Sequence, residues 1–231
     1  PNDEFYSDAC GILDFFDRYN FTIDESDPLD REIGVDPEML GKIFENLLED
    51  NKDKGAFYTP KEIADYMCKE ALTAYLIDEA RKKSEVNKQR QENFEDAIRA
   101  FVNDPEMTVK RIQQYDDKQL IDLDESLRDV KICDPAIGSG AFPMGLLNLL
   151  MACRTAVNDA LRKGEPRYLL KKEIIQNNIY GVDIEKGAID IARLRFWLSI
   201  VVDLEEPEAL PNFDYKFMQG NSLLEQYKGV D

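Results

Sequence analysis

The stretch Val130-Lys-Ile-Cys-Asp-Pro-Ala-Ile-Gly-Ser-Gly-Ala-Phe142 predicts a short buried strand, a glycine turn and the start of a helix. Its first half is rich in β-branched residues, and Asp134 falls where the strand would end. Gly138 and Gly140 permit positive φ and let a ligand approach the main chain closely. The free N–H groups of the following helix would face that ligand. We therefore predict a ligand cradle at the carboxyl end of a strand, with an ordinary strand–turn–helix corner as the alternative.

Two common phosphate-binding motifs do not fit this turn. Ala-Phe-Pro follows Gly140, so the third glycine of a dinucleotide fold is missing, and the Gly-Lys-Ser/Thr of a P-loop is absent. The segment Asp134-Pro-Ala-Ile-Gly-Ser-Gly-Ala-Phe142 instead resembles the S-adenosylmethionine-binding motif of the amino-methylating DNA methyltransferases. The resemblance implies a set of cofactor-binding residues: Asp134, Ala136, Gly138, Gly140 and Phe142.

A second motif, Gly55-Ala-Phe-Tyr-Thr-Pro60, precedes a predicted helix. Thr59 and Glu62 have the spacing of a capping box, and proline suits the first helical position. The apolar face of this helix is predicted to consist of Ile63, Met67, Ala71 and Ala74. The motif resembles the one that precedes the glycine motif in adenine methyltransferases, which implies that Tyr58 and Thr59 contact the methionine end of the cofactor.

Two further strands are predicted after the cradle, and each ends in a polar residue. The first is a buried strand from Asn178 to Asp183, and its acid has two readings: an acceptor for ribose hydroxyls or a cap for the next helix. Ile184 is predicted to lie flat against an adenine ring. The second strand runs from Asp214 to Met218, and Asn221 after it is predicted to hydrogen-bond the adenine.

These motifs occur in the order found in large single-chain type II restriction–modification enzymes and related phage-defence methyltransferases, which the chain resembles. The helix that begins at Asp36-Pro37 also looks like the lead-in helix of these families. The resemblance implies methyl transfer from S-adenosylmethionine to the N6 of an adenine flipped out of a specific double-stranded DNA sequence. It also implies a parallel sheet in the strand order third, second, first, fourth.

The fold class that follows is α/β: a partial, Rossmann-like parallel sheet of an S-adenosylmethionine-dependent methyltransferase, with a helical N-terminal portion. We divide the chain into an N-terminal helical lead-in (1–54), a capped helix with a helical excursion (55–127) and a cofactor-binding α/β half-domain (128–231).

The family's catalytic Asn-Pro-Pro-Tyr/Phe motif does not occur in the 231 residues. We expect it beyond Asp231, assign no catalytic residue, and expect this chain alone to bind the cofactor without transferring methyl groups. Two alternatives stay open: a methyltransferase acting on protein or RNA amines, whose enzymes share that motif, and a degenerate methyltransferase fold that serves as a scaffold.

Composition limits the remaining possibilities. The net charge is −18, and residues 1–54 contribute 16 acids against 5 bases, so weak or no DNA binding is expected from this chain alone. There is no histidine, and the 4 cysteines are widely scattered, so neither a metal site nor a disulfide framework is expected. No signal peptide or membrane-spanning run is recognisable, and a reducing cytoplasm is the expected location.

The expected truncation of the sheet has one consequence. Without the fourth strand, strand 130–133 becomes an edge, and an unpaired apolar edge favours association. We predict that Phe142 and Leu146 are left partly open and that the chain self-associates through this edge.

Overall fold

The computed structural model describes residues 59–83, 88–112, 117–203, 209, 211–213 and 215–224. The helices are α1 (Lys61–Lys83), α2 (Lys88–Asn103), α3 (Pro105–Ile112), α4 (Asp117–Asp129), α5 (Ala141–Ala160), α6 (Arg167–Asn177) and α7 (Lys186–Val201). The strands are β1 (Ile132–Asp134), β2 (Ile179–Asp183) and β3 (Phe217–Gln219). The predicted lead-in, 1–54, lies outside the described residues. None of the helices described here is long and apolar enough to cross a membrane.

The three strands form one parallel sheet in the order β1-β2-β3. Ile132 lies opposite Ile179, and Gly181 lies opposite Phe217. This arrangement confirms the predicted α/β class and the order of the first three strands. The third strand begins later than predicted because the amides of Lys216 and Phe217 both donate to the Phe213 carbonyl, at 2.9 and 3.0 Å, in a turn.

The sheet is buried on one face in the described part of the chain. Ile179 and Phe217 are fully buried, whereas Cys133 and Met218, which point the other way, are exposed. Successive strand residues point to opposite faces, so covering one face leaves every second side chain open. The prediction of a buried first strand is therefore wrong: β1 starts at Ile132 and is half-buried.

The core surrounds α5, which packs against helices α1, α3, α4 and α6. Leu147, Leu150 and Val157 on this helix are fully buried. Phe196 of α7 stacks on Phe217 of β3 with ring centroids 4.6 Å apart, which joins helix and sheet. Leu146 is only 3% exposed, so the expectation that it would be partly open is wrong, while Phe142 is half-buried.

Helix α1 buries a different face from the predicted one. Ile63 and Met67 are 51% and 48% exposed. The buried stripe instead consists of Ala64, Cys68, Leu72, Thr73, Leu76 and Ile77. The reason lies in the contact with α5: a Cβ placed on Gly145 would lie 3.0 Å from the Cys68 sulfur, so the two helices meet at small residues.

Candidate cofactor-binding site

The carboxyl ends of all three strands meet at one edge of the sheet. β1 ends at Asp134, β2 at Asp183 and β3 at Gln219. In parallel sheets this edge is where ligands bind, because the loops that follow the strands converge there. The structure thus brings the acidic strand ends and the predicted glycine loop into one neighbourhood.

The glycine loop after β1 needs both of its glycines, for different reasons. Gly138 has φ +53° and Gly140 has φ +88°, values that other residues adopt at a cost. A Cβ on Gly138 would meet nothing within 4 Å, so the space beside it is open. A Cβ on Gly140 would lie 3.3 Å from the Cβ of Ala192, so this glycine permits close contact with α7. The space beside Gly138 is therefore open, and the lack of a side chain at Gly140 also permits the close approach of α7.

Asp183 joins the second strand to the glycine loop. Its Oδ2 accepts a hydrogen bond from the Gly138 N–H at 2.8 Å, and its Oδ1 accepts one from the Glu185 N–H at 2.8 Å. The second bond reaches the N–H of Glu185, the N-cap residue of α7, and not one of the free N–H groups in the first turn of the helix, so it forms a turn before α7 and is not a helix cap. A carboxylate oxygen can accept two hydrogen bonds, so each oxygen keeps one acceptor position for a ligand.

Asp134 is half-buried at the end of β1. Its Oδ1 accepts a hydrogen bond from the Ala136 N–H at 3.0 Å. Burial raises the pKa of this carboxyl, and the nearby charge of Asp183 raises it further, while the Ala136 bond opposes the shift. Two carboxylates at one edge favour a ligand with cationic groups.

The loop after β3 is tied to the other two loops. The Gly220 N–H donates to the Asp183 carbonyl at 2.8 Å, and the Ser222 hydroxyl donates to the Pro135 carbonyl at 2.8 Å. Asn221 is exposed, and its Oδ1 accepts from the Leu223 N–H at 3.0 Å. The amide nitrogen of Asn221 is a donor for a ligand acceptor, and its oxygen, which accepts one bond in this turn, keeps a second acceptor position.

Ile184 presents an apolar side chain to solvent beside these polar loops. It is 64% exposed, and its carbonyl accepts from the Gln219 side-chain amide at 3.1 Å. The main chain of Ile184 is thus fixed while its side chain is uncovered. This geometry is compatible with the predicted contact to a flat ring.

The N-terminal motif is only partly described. Tyr58 lies outside the described residues, and Thr59 is exposed two residues before α1 begins at Lys61. The Cys68 thiol of α1 donates to the Phe142 carbonyl at 3.5 Å, which ties α1 to the first turn of α5. Burial raises the pKa of Cys68 to about 12, so it remains a thiol. Within the part of the chain that is described, no hydrogen bond joins Thr59 to the three loops.

Two residues at this edge were missed by sequence reasoning. The Ser222 hydroxyl links the third loop to the first, and the buried Arg195 of α7 donates from Nη1 to the Ser139 carbonyl at 2.9 Å. Arg195 carries a signal in the sequence, because it interrupts an apolar helix. Ser222 carries none, because serine is common in loops.

Two comparisons with known proteins identify related sequences. Residues 109–206 match the family model described as MmeI, DNA-methyltransferase domain. The chain is also 32% identical, over 233 residues, to a Methanocaldococcus jannaschii protein named as a type II restriction enzyme and methyltransferase. The match covers 92% of this chain and 18% of that protein, so the chain spans about a fifth of its relative's length. No solved structure gave a significant match. The predicted resemblance to the DNA methyltransferases of type II restriction–modification enzymes is confirmed.

Proposed function

From its relationship to the DNA methyltransferases of type II restriction–modification systems, we propose that this chain is the cofactor-binding part of a site-specific adenine-N6 DNA methyltransferase. The observation that carries the proposal is the bond from the Gly138 N–H to the Asp183 carboxylate at 2.8 Å. It places an open glycine loop beside the acidic end of the next strand, which is the place where nucleoside-containing cofactors bind in open α/β sheets.

The chemistry of the site fits S-adenosylmethionine. This cofactor carries a sulfonium and an ammonium cation beside one carboxylate, and Asp134 and Asp183 supply two negative charges at the same edge. A cationic ligand would favour the ionised form of Asp134, whose pKa is raised by burial and by Asp183 in the free chain. When bound, the cofactor supplies a methyl group on a positively charged sulfur.

Each predicted site residue receives a role in this proposal. The remaining acceptor positions of Asp183 receive the ribose hydroxyls, and the exposed side chain of Ile184 lies against the adenine ring. The Asn221 amide nitrogen donates to an adenine ring nitrogen. The first loop and helix surround the rest of the cofactor through Ala136, Gly138, Gly140 and Phe142, and the N-terminal motif contacts its methionine end through Tyr58 and Thr59.

DNA is the proposed substrate because the relative is named as a restriction enzyme and methyltransferase. The choice of adenine N6 over a protein or RNA amine is supported by the motif that ends at Thr59-Pro60, which resembles that of adenine methyltransferases. The 231 residues contain no Asn-Pro-Pro-Tyr/Phe motif and carry a net charge of −18, so we assign cofactor binding, not methyl transfer, to this chain. The free thiols of Cys68, Cys133 and Cys153 suit the reducing cytoplasm in which such an enzyme works.

The test is calorimetric titration of the chain with S-adenosylhomocysteine and with its 2′-deoxyribose analogue. Asp183→Asn turns one acceptor into a donor, so affinity for the natural ribose should fall about tenfold. Asp183→Asn should bind the 2′-deoxyribose analogue almost as tightly as S-adenosylhomocysteine, because the carboxylate that pairs with the 2′-hydroxyl is already absent. Asp190→Asn, at an exposed position of α7, is the control and should change nothing.

Two results would contradict parts of this proposal. An unchanged affinity in Asp183→Asn would remove the ribose assignment. Absence of any binding by the wild-type chain would favour the scaffold alternative.

We also propose that the chain self-associates through β1. In the described residues this strand pairs with β2 alone, and Cys133 on it is exposed. A strand edge with free main-chain groups favours pairing with another chain. Sedimentation velocity over a hundredfold concentration range should show a rising average mass, and a constant monomer mass would reject the idea.

A further inference from the structure

Arg195 is a buried cation beneath the glycine loop. Its residue exposure is 5%, and its Nη1 donates to the carbonyl of Ser139 at 2.9 Å. Ser139 stands between Gly138 and Gly140, both of which have positive φ. The bond therefore holds Ser139, a residue that has a glycine on each side.

This bond fixes a complete peptide group. The Ser139 carbonyl and the Gly140 N–H belong to one planar unit. Arg195 holds the carbonyl, and the Gly140 N–H donates to the Ile137 carbonyl at 2.9 Å on the other side. A peptide plane held at both ends cannot rotate without breaking one of these bonds. The unit is thus fixed beside Gly138, where the space for a ligand is open.

We infer that Arg195 is a positioning residue, which holds the glycine loop in the shape that accepts the cofactor without touching the cofactor itself. The inference rests on the proposed function. Burying a guanidinium costs free energy that an apolar residue on this helix would not incur. The neighbouring contacts of α7 with the loop, at Ala192 and Phe196, are apolar, so the arginine supplies what they lack: a directional bond.

Arg193 provides a matched comparison on the same helix. Its Nη2 donates to the Phe217 carbonyl at 2.6 Å, at the start of β3. Both arginines thus join α7 to a main-chain carbonyl: the bond of Arg193 ends on β3, and the bond of Arg195 ends on the glycine loop. Replacing either arginine should lower the stability of the chain, whereas only the replacement of Arg195 should reduce the order of the glycine loop.

The experiment compares Arg195→Met, Arg195→Lys and Arg193→Met in the full 231-residue chain, by calorimetric titration with S-adenosylhomocysteine. Arg195→Met should weaken binding about tenfold or more, and Arg195→Lys, which keeps a charged donor, about threefold. Arg193→Met should stay within about twofold of wild type. In the unliganded chain, amide hydrogen exchange at Gly140 should be faster in Arg195→Met than in Arg193→Met.

Each other outcome is decisive. Wild-type affinity and wild-type Gly140 exchange in both Arg195 variants would overturn the inference and leave the proposed function standing. An equal loss of affinity in Arg193→Met would also overturn it, since the effect would then be general. No binding by the wild-type chain would overturn the proposed function and the inference together. If Arg195→Met shows no cooperative melting transition, Arg195→Lys replaces it in the comparison with Arg193→Met. Weaker binding by Arg195→Lys than by Arg193→Met then supports the inference, and equal binding overturns it.

Discussion

The two ends of the small sheet are both polar, but they use their polar groups differently. At the amino-terminal end, the Asn178 amide donates to the carbonyls of Arg128 and Val130 at 2.8 and 2.7 Å. At the carboxyl-terminal end, Asp134 and Asp183 accept hydrogen bonds from main-chain amides of the loops that follow them. At the amino-terminal end, the Asn178 side chain donates to main-chain carbonyls of its own chain. At the carboxyl-terminal end, the carboxylates keep acceptor positions next to the open space at Gly138.

This difference shows that the presence of a cleft does not by itself identify the functional site of this molecule. A cleft of about 260 Å³ opens at the amino-terminal end. Its lining is polar and consists of Arg128, Asp129, Lys131, Arg154, Glu173, Asn177 and Asn178. Arg154 in it pairs with Glu173 at 2.9 Å, and the Lys131 ammonium donates to the Asn177 carbonyl at 2.6 Å. Arg154, Glu173 and Lys131 are thus engaged in structural bonds, whereas the loops at the carboxyl-terminal end carry the predicted ligand chemistry.

The largest expected effect is on stability at the amino-terminal end. Asn178 is 1% exposed, and Asn178→Ala leaves the Arg128 and Val130 carbonyls without this donor. The free energy of unfolding should fall by about 2 to 4 kcal/mol, because both carbonyls lose a donor and the bond to Val130 is buried. Urea denaturation followed by circular dichroism measures this change.

The neighbouring Asn177 is exposed and provides the control. Asn177→Ala should leave the unfolding free energy within about 0.5 kcal/mol of wild type. Cofactor affinity, measured in folded protein, should be unchanged in both variants if the two ends of the sheet are independent. A loss of affinity in Asn178→Ala would show that they are coupled.

The second expected effect separates backbone strain from ligand space. Gly138→Ala places a Cβ at φ +53°, which should cost about 1 kcal/mol of stability, and also puts a methyl group into the open space of the loop. Gly164→Ala has the same strain, at φ +66°, with nothing within 4 Å of the new Cβ. Both variants should lose similar stability by thermal unfolding, but only Gly138→Ala should weaken binding of S-adenosylhomocysteine. Equal affinities would place the ligand elsewhere.

Much of this architecture could be predicted from the sequence because its signals are local. The glycine loop and the acid at the end of β2 follow from residue types and spacing. The two strands predicted after the glycine loop are both present, as β2 (Ile179–Asp183) and β3 (Phe217–Gln219).

The errors arose where distant contacts decide the outcome. The buried face of α1 is selected by its contact with Gly145 of α5, and periodicity alone favoured the neighbouring stripe at Ile63 and Met67. The half-exposure of β1 depends on which face of the sheet is covered. The bond between Arg195 and Ser139 joins residues 56 positions apart, so no local pattern reveals it.

The smallest expected effect concerns the pH dependence of Asp134. Its pKa in the folded chain is raised above the ordinary 3.8, chiefly by burial and also by Asp183. The ionised carboxyl is therefore less favourable in the folded chain than in the unfolded one, so it lowers stability near neutral pH. This penalty shrinks as the pH falls below the raised pKa and is gone below the ordinary value of 3.8. Asp134→Asn keeps an oxygen for the Ala136 N–H and should melt at a slightly higher temperature than wild type at neutral pH.

Asp134→Asn should raise the melting temperature but weaken ligand binding, and this opposite effect on binding is the control for the last prediction. S-adenosylmethionine carries a sulfonium charge that S-adenosylhomocysteine lacks, so Asp134→Asn should weaken binding of the first more than of the second. In wild type the affinity for S-adenosylmethionine should decline as the pH falls through the raised pKa, and in Asp134→Asn this decline should be shallower. Asp159→Asn, at an exposed position of α5, should follow wild type in both measurements. If Asp134→Asn melted below wild type and bound both ligands equally well, Asp134 would be a structural residue like those at the other end of the sheet.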